Sequence, residues 1–127
     1  MELHEALNLF QNQIVNMDSL WAYFSSATLA VLGFTVASEK ATRSRHEISV
    51  IQLGYLLFAI GNAFAIASSQ TTLIELGHLV TTSGGSEKLV NVFSVVKVIA
   101  FHVAVSLSVL SIIEVTYRYN KSKQIRH

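Results

Sequence analysis

Polar and apolar positions in this chain segregate over whole segments rather than turn by turn. Ser19 to Ser38 carries no ionised residue, Ile48 to Ile74 carries none, and Leu89 to Ile113 carries only Lys97. A helix rises about 1.5 Å per residue, so roughly 18 to 20 such residues cross a hydrocarbon core about 30 Å thick. Three spans are therefore expected, and they leave little chain for anything else. The competing expectation is a water-soluble bundle with an unusually greasy core. It requires three helices to be buried all round within 127 residues, whereas soluble helices normally break their apolar stripe with charges every turn or two.

Ahead of the first run, Leu3, Leu7, Phe10, Ile14 and Met17 recur at alternating helical spacings, and the rhythm continues into Trp21 and Phe24. That is a heptad seam on a helix. The remaining face carries Asn8, Gln11, Asn12, Gln13 and Asn16, polar but uncharged. A helix lying on anionic headgroups would show Lys or Arg there. The seam thus reads as an assembly surface for a protein partner or another copy of the chain, or else as a short interfacial helix capping the bundle. The expected fold class is an all-α membrane protein, three transmembrane helices preceded by a short amphipathic N-terminal helix. In numbers, 1–18 is the amphipathic outer helix, 19–38 the first span, 39–47 a cytoplasmic loop and 48–70 the second span. An outer amphipathic segment and loop cover 71–88, the third span 89–114 and a basic cytoplasmic tail 115–127.

Charge adds a direction to this pattern. Lys40, Arg43, Arg45, Arg118, Lys121, Lys123 and Arg126 account for seven of the nine basic residues, and all fall in the first loop or the C-terminal tail. The segment before the first span has Glu2, Glu5 and Asp18 with no basic residue. Cytoplasmic loops retain the Lys/Arg excess, so the N-terminus is expected outside and the C-terminus in the cytoplasm. Trp21 and Tyr23 at one boundary, and Tyr117 and Tyr119 at the other, fit the aromatic belts of an inserted bundle. The tail should also meet anionic lipid, and nothing points to nucleic acid. No cleavable leader or lipidation motif is evident at the first residues.

Small residues recur in the spans. Ala59, Ala63 and Ala67 repeat beside Gly54 and Gly61, and Ala22, Ser26, Ala30, Gly33 and Ala37 follow a similar spacing in the first span. Such residues let helix backbones approach closely in lipid, where apolar burial gives no drive to associate. They are the expected helix-packing positions, with the second span as the hub.

The polar groups within the spans are the candidate chemistry. A mid-membrane lysine costs about 2.5 to 3.5 kcal/mol on insertion scales, so Lys97 either lines a polar path or snorkels to the headgroups. His102 stands about 140° round the same helix, as a packing residue or a haem ligand completed by another chain. Lys97, Ala104, Ser108 and Ser111 share one stripe, with Asn62 and Gln70 as candidate neighbours. Glu114 and Arg118 form an i, i+4 pair suited to an interfacial salt bridge.

The absence of cysteine excludes thiolate chemistry and disulfides. The five histidines show no i, i+4 pairing, and no serine sits in a Gly-x-Ser-x-Gly elbow. Neither catalysis, cofactor nor metal is expected. The functional expectation is a self-assembling membrane protein with an oligomeric pore or permeation path. The alternatives are an accessory or anchor subunit of a larger membrane complex and a haem-binding anchor.

Overall fold

Serines and a diglycine punctuate the turns between the helices. The computed structural model describes residues 1–40 and 42–127; Ala41, within the expected 39–47 loop, lies outside the described residues. Helix α1 is Leu3–Ala37, α2 is Arg45–Thr82 and α3 is Val95–Ile125. Ser44 opens α2 with a capping box: its hydroxyl accepts from the Glu47 N–H at 3.2 Å, and the Glu47 carboxylate accepts from the Ser44 N–H at 3.0 Å. Gly84, at φ +96°, supplies the left-handed residue that ends it. Gly85 then folds back so closely that a Cβ there would lie 2.5 Å from Val80 Cγ1.

All three helices are long and apolar enough to cross a membrane. Their packing agrees with this, because many large hydrophobic side chains face out. Leu29, Leu53, Leu57, Phe64, Val103 and Leu107 are among those left exposed, while Thr28, Thr35, Ser69, Gln70, His102 and Ser106 are buried. A water-soluble bundle would sort these residues the other way. The chain is an integral, three-span, all-α membrane protein.

A separate short amphipathic helix ahead of the first span is not present. Residues 3–18 are instead the first turns of one unbroken 35-residue helix. No glycine or proline interrupts 3–18, and the seam that would have set such a helix apart is taken up within the chain. Ala6 and Phe10 are buried against Leu73 and Val80 of α2, with Leu3 and Leu7 packed around them. Met17 and Phe24 continue the buried face, and Ile14 turns partly outward.

The apolar run that starts at Leu89 enters its helix late. Glu87–Leu89 forms a single 3₁₀ turn capped by Ser86, residues 90–94 are irregular, and α3 starts at Val95 with Ser94 as its N-cap. The intervening segment is tied along α2. The Gln70 side-chain amide donates to the Phe93 carbonyl at 2.6 Å. Gly77 admits Val90 so closely that a Cβ on the glycine would meet the Val90 Cβ at 3.4 Å.

Pairing of α1 with α2 is antiparallel, from Gln13 at Ser69 to Thr28 at Tyr55. On α2, Asn62 meets His102 and Gln52 meets Glu114, so α3 is antiparallel to α2 and parallel to α1. Buried positions on α1 at Phe10, Met17, Phe24, Thr28 and Thr35 fall on heptad spacing, the left-handed packing of coiled coils.

Candidate functional site

Hydrogen-bonded side chains run the length of the bundle interior, and His102 is the most enclosed of them. It is 1% exposed. Its ring stacks on Phe24 at 4.1 Å between centroids, with Trp21 at 6.1 Å. Nε2 lies 3.1 Å from Asn62 Oδ1, an arrangement in which Nε2 carries the ring proton. Nδ1 faces the Ser106 hydroxyl at 3.4 Å, and that hydroxyl donates at 2.9 Å to the carbonyl of His102.

Other rungs lie on either side. The Gln13 amide donates to the Ser69 hydroxyl and carbonyl at 2.7 and 3.0 Å. Thr28 and Tyr55 share a buried hydroxyl–hydroxyl bond of 2.9 Å. Further along, Arg45 and Arg118 bind Glu114 at 2.6 and 3.1 Å, and Gln52 donates to the same carboxylate at 3.3 Å. The Asn120 amide donates to Thr42 at 2.8 Å. Among the described residues, no buried side-chain nitrogen or oxygen lacks a partner. In hydrocarbon an unpaired polar group costs several kcal/mol, so a complete ladder both permits burial and fixes the helix register.

Chemically, the ladder is a set of spent bonds. Ser106 and His102 resemble a nucleophile beside a base, but the serine proton is engaged by a backbone carbonyl and both ring nitrogens of His102 face partners. Among the described residues, no three His, Asp or Glu side chains converge as a metal site.

The candidate residues separate into an inner and an outer set. Asn62, Gln70, Ala59 and His102 face the interior, with Ala63 and Ala67 half-buried. Asn62 bonds to His102, on the far side of α3 from the stripe, and Gln70 bonds to Phe93 in the segment before α3. Gly33, Gly54 and Gly61 have no atom within 4 Å of where a Cβ would stand. The α1 set Ala22, Ser26, Ala30, Gly33 and Ala37 is exposed throughout, as are Ala104, Ser108 and Ser111 on α3. The Ser108 and Ser111 hydroxyls donate to the carbonyls four residues back at 2.8 and 2.9 Å, leaving acceptor lone pairs outward. Lys97 is exposed in the first turn of α3, where its N–H donates to Ser94. Thr28, Tyr55, Ser106, Gln52 and Asn120 were not foreseen as members of the ladder. Their common signal is heptad position on a buried face.

The chain matches no protein-family model, no curated protein and no solved structure.

Beside the irregular 90–94 segment, a groove of about 640 Å³ opens between α1 and α3, with α2 at its back. Its walls include Ile14, Met17, Leu73, Val92, Phe93, Val98 and Phe101, and Asp18, Trp21, Gln70, Asn91 and Lys97 complete the lining.

Proposed function

We propose that this protein is a non-enzymatic membrane protein that works by lateral self-assembly, its α3 face at Ala104, Ser108 and Ser111, deeper in the span than Lys97, turned toward a shared axis as a hydrated permeation path. One observation carries this reading. Ala22, Ser26, Ala30, Gly33 and Ala37 of α1, Gly54 and Gly61 of α2, and Ala104, Ser108 and Ser111 of α3 lie on the outer surface, and no atom stands within 4 Å of a Cβ built on Gly33, Gly54 or Gly61. Helices in lipid associate by close van der Waals approach, and small residues are what permit it. The three outward faces of a triangular bundle point in different directions. With α3 toward the axis, the faces of α1 and α2 are free to meet neighbouring copies. Ser108 and Ser111 would then present acceptor lone pairs to the lumen, since their protons are already donated within the helix.

Orientation is part of the proposal. The first loop and the tail share one end of the bundle, joined by Arg45–Glu114 and Asn120–Thr42. That pairing supports counting their basic residues together, and on the Lys/Arg excess we read this end as the cytoplasmic one, against anionic lipid. The opposing end, with Glu2, Glu5 and Asp18, would lie outside.

The mass of the detergent- or nanodisc-held protein tests the reading. A closed ring of identical copies is expected, shifting toward monomer in Gly54→Leu/Gly61→Leu. A monomer that is stable only beside a different chain would favour an accessory subunit instead. Ion flux into liposomes is expected from the wild type and should fall in Ser108→Leu/Ser111→Leu; equal flux from both would remove the α3 stripe from the path. The geometry gives no support to a haem anchor, because the His102 ring is enclosed by Phe24, Trp21, Asn62 and Ser106 within the single chain.

A further inference from the structure

We propose that the groove between α1 and α3 binds one zwitterionic glycerophospholipid of the surrounding bilayer, its ammonium held at Asp18 and Trp21 and its phosphate at Lys97.

The register of the helices brings these groups to one level. Helices α1 and α3 run parallel, and Trp21 packs on Phe101 at 5.8 Å between ring centroids. Asp18 stands one turn before Trp21, and Lys97 one turn before Phe101, so the acid and the base lie across the groove from each other. That level is where the charge-free run of α1 begins, at Ser19, and where α3 enters its own apolar stretch. It coincides with the headgroup boundary of a bilayer.

Neither charge is used by the fold. Asp18 and Lys97 are exposed, and among the described residues neither side chain has an ion pair or hydrogen bond. Lys97 also sits at the N-terminal end of its helix, where the helix dipole favours an anion rather than the lysine itself. A phosphate beside Lys97 would satisfy both. Opposite it, a carboxylate next to an indole face suits an ammonium group through charge and cation–π attraction. Below that level Val98, Phe101 and Trp21 offer an apolar wall for an acyl chain. The groove, at about 640 Å³, lies mostly on the outer side of that level, where Ile14, Met17, Leu73 and residues 91–93 enclose the headgroup, and the acyl chain leaves it along Val98 and Phe101. A singly charged anionic lipid would leave Asp18 facing its phosphate unrelieved, so the paired charges select a zwitterion.

Native mass spectrometry of the full chain released from nanodiscs tests this. The probes are phosphatidylethanolamine and phosphatidylglycerol of identical chains, present in equal amounts. One phosphatidylethanolamine per chain is expected to survive release, with a preference of about tenfold over phosphatidylglycerol, the size of one charge-assisted contact. Asp18→Asn should abolish the preference by admitting the anionic lipid. Lys97→Gln should lower retention of both lipids. Because both side chains are exposed and unbonded, the two variants should keep wild-type helicity, checked by circular dichroism. Equal retention of the two lipids by the wild type would overturn the proposal, as would a preference unchanged in Asp18→Asn. Lipid bound per chain is read separately from copy number in the same spectra, so a failure of self-assembly would not be mistaken for a failure of this site.

Discussion

Near the first loop three helices meet around Ile48, Tyr55, Ala59, Val109, Ile113 and Tyr117. At the opposite end only α1 and α2 continue, around Ala6, Phe10, Leu73 and Val80, and the irregular segment bearing Val90 and Val92 fills in for the third helix. The two clusters use similar side chains under different conditions. The first belongs to the span region, where lipid is as apolar as the core and packing alone holds the helices together. The second extends past the charge-free runs, since α2 at 38 residues would reach about 57 Å. In that end lobe, removal of apolar surface from water supplies the drive.

Equivalent truncations should expose this difference. Leu73→Ala is expected to destabilise the lobe by about 2–5 kcal/mol, since a buried leucine loses both its transfer term and its packing. Ile113→Ala, at a residue with 0% exposure, should cost less because in lipid the transfer term is absent. Hydrogen exchange of the nanodisc-held protein reads both, with 3–17 and 73–82 opening in the first variant. Equal losses would erase the distinction between the two clusters. Gly85→Ala should come next, at about 1–3 kcal/mol from overpacking, because its methyl group would press on Val80 Cγ1 and sit 2.9 Å from the Val80 carbonyl. Proteolysis at the 83–94 turn would rise, with the spans unaffected.

This contrast also marks what could be seen in the bare sequence. The spans were legible because charge-free runs longer than 18 residues have few other uses. The seam of Leu3, Leu7 and Phe10 was legible as a periodicity, but its partner was not, since one heptad face does not say whether it meets another chain or α2. The late start of α3 was hidden for a related reason: hydropathy cannot register that Gln70 takes the Phe93 carbonyl from a helical bond. Small residues were visible as repeats, yet only the bundle's rotation shows that Ala59 faces inward while Gly54 and Gly61 face outward. His102 stood out as a single polar residue in a long apolar run. Its partner Asn62 required the antiparallel register of α2 and α3 to be known, whereas Ser106 stands one turn on in the same helix.

Within the span region the polar ladder should respond in a way the lobe cannot. His102→Leu leaves Asn62 without its partner in a medium that offers no water, and a loss of about 1–2 kcal/mol is expected. The double variant Asn62→Leu/His102→Leu should recover part of it, since an apolar pair of similar shape has nothing left to satisfy. Unfolding in mixed micelles against added denaturing detergent measures both; a double variant less stable than the sum of the singles would deny that the pair is a unit.

The smallest effect belongs to Thr28→Val, which deletes one hydroxyl from the Thr28–Tyr55 bond and keeps the side-chain volume. Interhelical hydrogen bonds in membranes average about 0.6 kcal/mol, because an unfolded chain in lipid also finds partners for its polar groups. If the ladder instead sets the rotation of α1 against α2, the same variant will show its effect in geometry while its stability barely moves. Spin labels placed on the outward faces at Ala30 and Gly61 would report that rotation as a changed distance. An unchanged distance together with a loss well above about 1 kcal/mol would mean that Thr28 serves stability and leaves register to the heptad packing of Phe24 and Thr35.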